Sequence, residues 1–542
     1  MSNTEKPSPI LFWGCFLALI TTGFAFVGRL ELLGVWGKEF ELDAQQLGIL
    51  AGIGIWPFAV SIIFFSLFID KVGYKAAMLF ALVCHLIWAA LGVMAYFTSA
   101  GGDKDTAYKM LVGGSLIAAL GNGSVEAFIN PVVATIYSKE KTKWLNILHA
   151  AWPGGLVIMG VIVILLEKLW HGAPWAVNVG IIAIPAIIYG LMLIGQKFPV
   201  SERVASGVSY RDMLAEFGAF GAFITGTLVA LQVIIFGKET GILDVSFSLA
   251  WIVSIIIGIV CAVAMGLYTK SFGSWLMALL IIIMAPLATT EIGTDGWITN
   301  IMAGFAEEKG FHPVMVLVYT SAIMLVLRFF AGPIVKVLTP LGLLIVSAVL
   351  AVLGLIFLSQ AQTFILLLGA ATLYGLGKTF FWPTTLGVVA EQTPRGGALT
   401  LNAISGIGML ACGALGFPLL GKFQIDTQKT QLAENSSLVE KVPAAFKDGA
   451  IATVTENDSI FGKYTGVDTG ALDKAIDAAT KDDEAAGLKA TAAKIAKDAP
   501  KLSLAKIALF PAFMLLCYIG LFVYFKSRGG YKPIDLSAEG GH

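Results

Sequence analysis

Fourteen apolar runs divide the 542-residue chain, and they leave it few folds to choose from. A helix needs about 20 mostly apolar residues to cross a bilayer. Within lipid, only helices and closed barrels satisfy every backbone polar group. The runs lie near 10–36, 46–69, 74–98, 107–137, 143–167 and 174–195, then 214–236 and 245–268, then 273–304, 312–336, 339–359, 363–390, 397–421 and 503–525. Only 13% of residues are charged and mean hydropathy is +0.83, whereas a soluble domain carries about 25% charge. The expected fold class is an all-α polytopic membrane protein with two six-helix bundles and two extra linking helices.

The expected units are a first bundle (1–200), two linking helices (201–272), five helices of a second bundle (273–423), a polar insertion (424–502) and a last helix with its tail (503–542). The short loops predicted inside hold fourteen Lys and Arg against six in the short outer loops. That bias puts both termini in the cytoplasm and the insertion outside. The insertion is read as partly helical, with Leu472 to Lys497 favouring helix. The apolar run after Pro9 is read as a retained helix, since no cationic region precedes it. Cys15, Cys84, Cys261, Cys412 and Cys517 lie in apolar runs without CxxC spacing, so neither disulfides nor zinc are expected. The zero net charge gives no argument for nucleic acid. No Gly-x-x-x-x-Gly-Lys-Ser/Thr, HExxH or nucleophile elbow occurs, so neither ATP-driven transport nor an enzyme is expected.

The two groups of six echo each other. Gly121-x-Gly123 precedes Asn130-Pro131, and Gly375-x-Gly377 precedes Trp382-Pro383; the next spans begin Leu145-Asn146 and Leu401-Asn402. Repeated halves with a site at their interface are the plan of many secondary transporters.

Gly121 to Pro131 reads Gly-Asn-Gly-Ser-Val-Glu-Ala-Phe-Ile-Asn-Pro inside an apolar stretch. Glu126 and Asn130 share a helix face. A carboxylate at membrane depth is costly and marks a functional site by default. Proton coupling needs a group whose proton affinity changes with solvation and neighbouring charge, and Glu126 is the first candidate.

The segment Ser66-x-x-x-Asp70-Lys71-x-Gly73-Tyr74-Lys75 resembles the loop signature of the major facilitator superfamily, with Ser66 and Tyr74 as departures. The resemblance implies the major facilitator fold and a cytoplasmic gate at Asp70, Lys71, Gly73 and Lys75. Arg328-Phe329-x-x-Gly332-Pro333-x-x-Lys336 is a degenerate late copy lacking the aspartate, and Arg328 is assigned to gating. Within that superfamily, Gly121 to Pro131 and Leu145-Asn146-x-x-His149 resemble the fucose/glucose–galactose:proton symporter family. This implies that Glu126 takes part in proton coupling and that His149 lies near a sugar. Two departures stand out: the family has twelve spans, and its first span carries an acidic or amide residue where this chain has Gly28-Arg29-Leu30-Glu31. Glu31 is the nearest match and the second proton-coupling candidate.

Other polar groups at depth are substrate candidates: Arg29, Asn130, Asn146, His149, Glu291, Asp295, Trp297, Asn300, Lys378, Trp382 and Asn402. Arg29 is expected opposite Glu126, and Lys378 opposite Glu291 or Asp295. Acids and amides bond sugar hydroxyls, and indole faces pack on C–H edges. His85 and Trp88 read as packing residues.

The expected function is proton-coupled symport of a neutral monosaccharide by alternating access. No cofactor is expected; the coupling ion is H⁺, with Na⁺ possible. The expected partners are a small-molecule substrate and the bilayer, with the chain a monomer of the cell (inner) membrane. The alternatives are an anionic sugar, muropeptide or organic anion, motivated by Arg29 and Lys378, and a non-transporting sensor that uses the insertion.

Overall fold

The computed structural model of the chain describes residues 8–42 and 44–536, apart from the side chains of Ala44, Gln45, Trp297, Asn300, Asn457 and Asp482. Among them, thirteen helices are long and apolar enough to cross a membrane. The first six are α1 (Pro9–Glu39), α2 (Gln46–Val72), α3 (Tyr74–Ala100), α4 (Lys104–Ile136), α5 (Ser138–Leu169) and α6 (Trp175–Ile194). The linking pair is α7 (Tyr210–Glu239) and α8 (Phe247–Thr269). The second group is α9 (Trp275–Lys309), α10 (Val314–Phe329), α11 (Ala331–Gln360), α12 (Phe364–Gln392), α13 (Pro394–Glu434) and α14 (Asp483–Ser527).

Helix α10 is the exception to the expected lengths. At 16 residues it is shorter than the other spans. The chain turns at Phe330, and the following segment Ala331–Leu338 ends at Thr339, whose positive φ of 63° kinks α11 before Pro340. The apolar stretch expected to continue to residue 336 therefore bends into a separate short turn.

Helices α1–α6 form one bundle and α9–α14 the other. The bundles meet where α2 packs on α13 and where α5 packs on α10 and α12. Helices α7 and α8 pair with each other, and α7 lies against α13 and α9. Much of α8 is lipid-facing: Ile252, Ile256, Val260 and Leu267 are exposed. Apolar exposure of that kind is stable only in a bilayer.

The repeated glycines have one physical reason in both halves. A Cβ at Gly123 would lie 2.3 Å from the Phe58 carbonyl oxygen, and one at Gly377 would lie 2.4 Å from the Ala351 nitrogen. Each glycine lets a helix touch its neighbour's backbone. Gly369, on the same helix as Gly377, faces open space. Gly123→Val and Gly377→Val are expected to destabilise the bundle by about 1–3 kcal/mol or more through overpacking, and Gly369→Val should not. The yield of monodisperse protein after detergent extraction checks this.

The insertion is partly helical as expected, with helices Thr469–Ala479 and Asp482–Leu502 over the stretch Leu472 to Lys497, and it holds more besides. Helix α13 runs on to Glu434 and α14 begins at Asp483, so spanning helices continue into it. It also holds two antiparallel hairpins, β1 (Phe446–Lys447) with β2 (Ala450–Ile451), and β3 (Val454–Ser459) with β4 (Gly462–Val467). Val454, Thr455, Tyr464, Thr465 and Val467 favour strand in the second hairpin, which is not among the sequence expectations. Helix Thr469–Ala479 follows. Leu432, Leu438, Val442, Leu472, Ile476 and Leu488 give the insertion its own core.

Candidate functional site

Prolines shape the polar centre of the bundle. A proline within a helix cannot bond the carbonyl four residues back, and in lipid that carbonyl needs another donor. Pro131, Pro153 and Pro383 leave the carbonyls of Ala127, His149 and Thr379 without their helical partners. Two side chains of the second bundle supply the donors. Asn402 donates to the Ala127 oxygen (3.0 Å). Arg328 donates through Nη1 to the His149 oxygen (2.6 Å) and through Nε to the Thr379 oxygen (2.6 Å). The same arginine donates through Nη2 to Glu291 Oε1 (2.8 Å). Glu291 Oε2 accepts the Trp382 N–H (3.1 Å), which is free because a helix restarts at Phe381.

Around Glu126 lies a second network. Asn130 Nδ2 donates to Glu126 Oε2 (2.8 Å) and to Asn402 Oδ1 (3.1 Å). His149 Nε2 donates to Asn130 Oδ1 (2.9 Å) and lies 4.0 Å from Glu126 Oε2. All four side chains are buried. Asn130 therefore touches the glutamate of its own half and an amide of the other half at once. Asn146 makes a similar crossing, donating to Thr142 O (2.8 Å) and to Thr384 Oγ1 (3.2 Å).

A third pair joins Lys378 to Asp295 Oδ1, both buried. The other carboxylate oxygen, Asp295 Oδ2, is buried without a hydrogen-bond partner among the described residues. Asp295 follows a π-turn, Thr289–Gly293, in α9. Another π-turn, Cys412–Gly416 in α13, packs against it, and a Cβ at Gly416 would lie 2.6 Å from Thr289 Oγ1. Such turns mark functional helices.

These two π-turns border a cavity of about 670 Å³ on the insertion side of the bundle. Glu31, Gln232, Glu239, Asp295 and Thr299 line it, with apolar walls from Phe26, Leu30, Trp56 and Phe417. Gln232 Oε1 is a second buried acceptor without a partner among the described residues. Glu31 accepts from Thr299 (3.3 Å). Lys422 is the one Lys or Arg among the lining residues, against Glu31, Glu239, Asp295 and Asp458.

The opposite end is closed. Asp70 accepts from Arg203 (2.6 Å) and Ser201 (2.9 Å). Glu391 accepts the Thr142 N–H (3.0 Å) and hydroxyl (2.6 Å) through Oε1, and the Tyr531 hydroxyl (2.8 Å) through Oε2. Lys141 pairs with Glu202 (2.5 Å) and donates across the halves to the Ala390 oxygen (3.2 Å). A void of only about 30 Å³ remains there.

The residues picked out by sequence therefore separate into groups. Glu31 and Asp295 line the cavity. Glu126, Asn130, His149, Asn402, Asn146, Glu291, Lys378 and Trp382 form the buried layer and are not among the cavity's lining residues. Arg29 does not pair with Glu126. Its Nη1 donates to the carbonyls of Leu50 (2.5 Å) and Ala51 (2.9 Å), where α2 breaks near Gly52, and Nη2 has no partner among the described residues. The guanidinium reaches the nearest broken helix rather than crossing the bundle. The side chains of Trp297 and Asn300 lie outside those described. Lys71 sits over the Tyr210 ring (4.9 Å), Gly73 takes a φ of 88° at a helix end, and Lys75 is exposed. Arg328 lies in the last turn of α10 but is buried and ties the halves together. His85, bonded to Tyr189 (3.0 Å) and Asn122 (2.8 Å), is a satisfied buried group. Sequence reasoning missed Arg203 as the partner of Asp70, Glu391 as a clamp, and Gln232 as a cavity residue. The i−4 carbonyls of the prolines were a readable signal for Arg328 and Asn402.

The sequence profile described as Major Facilitator Superfamily matches residues 10–306. None of the curated proteins matches in sequence. Three solved structures overlay on the chain, two of them with TM-scores above 0.5. The E. coli proton:xylose symporter XylE, bound to 6-bromo-6-deoxy-D-glucose, overlays with a TM-score of 0.55 at 14% identity, over 76% of this chain and 88% of that one. The human organic anion transporter MFSD10 gives 0.53 at 12% identity, over 94% and 100%. The E. coli fucose:proton symporter FucP gives 0.49 at 16% identity, over 94% and 99%. The profile spans more than half of the chain, which thus belongs to the Major Facilitator Superfamily and is a multi-pass membrane transporter.

Proposed function

We propose that the chain is a proton-coupled symporter that carries a small neutral, hydroxyl-rich solute, a monosaccharide, into the cell by alternating access. One observation carries the substrate class: the cavity presents acceptors with unused capacity. Asp295 Oδ2 and Gln232 Oε1 lack partners among the described residues, and Glu31 and Glu239 stand on the same walls. A sugar hydroxyl donates to such groups, and the apolar walls suit its C–H edges. The two cations that suggested an anionic solute, Arg29 and Lys378, are both engaged within the protein. Lys378 holds Asp295, and Arg29, which is not among the cavity's lining residues, holds the carbonyls of Leu50 and Ala51. The fold neighbours carry solutes of both kinds and do not choose between them.

In this reading Glu126 takes the proton. Asn130 bonds both Glu126 and Asn402, so separation of the halves at this level removes one of the two contacts and admits water to the carboxylate. The exchange of a dry site for a wet one drives loading and release. The closed end, with Asp70, Arg203 and Glu391, faces the cytoplasm along with both termini, and the protein works as a monomer in the inner membrane.

The test is uptake of a labelled panel of neutral hexoses, deoxyhexoses, amino sugars and uronic acids, in Na⁺-containing and Na⁺-free medium. Neutral sugars should enter, and Glu31→Gln and Asp295→Asn should raise KM by roughly tenfold or more, the loss expected for hydrogen bonds to charged groups. Entry of uronic acids alone would refute the neutral-sugar reading.

A further inference from the structure

The linking helices and the insertion are the parts that a twelve-span transporter lacks, and they meet at one point. That point is the tip of the β3–β4 hairpin. Ser459 pairs with Gly462, leaving Ile460 and Phe461 to form the turn, with Gly462 at a φ of 90°. The Ser459 hydroxyl accepts the Phe461 N–H (3.1 Å) and donates to the Gly462 oxygen (3.0 Å), which fixes the turn. Ile460 is only 7% exposed. It packs with Leu231 and Ile235 of α7, Ala250 of α8 and Ala414 of α13. The Ile460 carbonyl accepts the indole N–H of Trp251 on α8 (2.7 Å). At the other side of the hairpin, Lys429 Nζ donates to Thr465 Oγ1 (2.6 Å).

The docked hairpin reaches the cavity. Asp458, Ser459, Ile460 and Tyr464 line it together with Glu31 and Asp295. The base of the hairpin packs on the insertion's own core through Val454 and Val467, whereas the tip over the cavity is held by the dock that α7 and α8 provide. One indole hydrogen bond and one buried isoleucine hold the tip, few enough contacts to break and remake in each cycle.

We propose that the β3–β4 hairpin is a lid on the outer mouth of the transport cavity, that α7 and α8 are its dock with Trp251 as the latch, and that Asp458 and Tyr464 help select the solute. The proposal rests on the cavity being the solute site. Asp458 and Tyr464 stand on opposite faces of the hairpin and both line the cavity, the one adding a carboxylate and the other a phenol ring to its outer wall, groups that suit a sugar.

Accessibility tests the lid without any solute. Gly52 lines the cavity, and a Cβ there meets open space. A cysteine introduced as Gly52→Cys is labelled in intact cells with a membrane-impermeant maleimide, the native five cysteines supplying the background rate. Trp251→Phe keeps the ring and removes the latch; a second variant replaces residues 455–466 with a short Gly-Ser link. Both should speed labelling, Trp251→Phe by roughly three- to tenfold, as for one lost hydrogen bond. Unchanged rates in both variants, with each recovered as monodisperse protein, would overturn the lid. Selection is read separately: Asp458→Asn and Tyr464→Ala should raise KM with the maximal rate kept, and an unchanged KM in both would overturn their role. Faster labelling in a chain that takes up none of the offered sugars would support the lid and contradict the transport reading instead.

Discussion

Replacing Arg328 with methionine is expected to abolish transport and to lower the melting temperature of the purified protein by several degrees. Methionine matches the volume of the stem but removes every donor. Glu291 would remain buried with only the Trp382 N–H to bond it. Removing one partner of a buried ion pair costs about 3–5 kcal/mol. The carbonyls of His149 and Thr379 would also lose their donors, at about 1–3 kcal/mol for each buried group left unsatisfied. Arg328→Lys is expected to rescue little. The ammonium lacks the planar fork that reaches a carboxylate and two carbonyls in three directions. The double variant Arg328→Met with Glu291→Gln should recover part of the stability, because it no longer strands a charge, and should stay inactive. Thermal unfolding in detergent, read alongside uptake, separates the two effects. A single Arg328→Met variant as stable as the wild type would contradict this account of the central layer.

The second large effect is at Glu126. A proton carried inward across 100 mV is worth about 2.3 kcal/mol, which sustains roughly fiftyfold accumulation of a solute. Glutamine at 126 keeps the hydrogen bond to Asn130 and the side-chain volume but cannot exchange a proton. Glu126→Gln is therefore expected to lose accumulation against a gradient while still exchanging labelled for unlabelled solute across the membrane. Loss of both activities would mean that the carboxylate shapes the site rather than couples it. Asn402→Ala should weaken both, since it frees the Ala127 carbonyl and removes the contact of Asn130 with the other half.

The membrane fold was legible in the sequence because apolar length is a local property. Fourteen apolar runs became thirteen long helices and the shorter Val314–Phe329, and the matched Gly123 and Gly377 became matched backbone contacts. The pairings were less legible. Lys378 with Asp295 could be anticipated, since both lie in the second bundle. Arg29 was not placed, because its partners are backbone carbonyls exposed by a helix break at Gly52, and although Gly52, Gly54 and Pro57 signal a break, they do not say which side chain will bond the freed carbonyls. Glu126 was found by its depth, yet the amide of the other half that joins its network, Asn402, is bonded to Asn130 across 272 positions of the chain and known only once the halves are docked. The hairpin was not legible because its strands are only six residues long and VTENDS and GKYTGV carry no alternation of apolar and polar residues.

The central claim is that solute and proton cross together through Glu126. It is tested most directly by recording the external pH of a lightly buffered, de-energised cell suspension when the transported sugar is added. Wild-type cells should show an immediate alkalinisation that a protonophore abolishes, and Glu126→Gln cells should show none. Sugar uptake that needs Na⁺ and moves no protons, or an equal alkalinisation in the Glu126→Gln cells, would contradict the account.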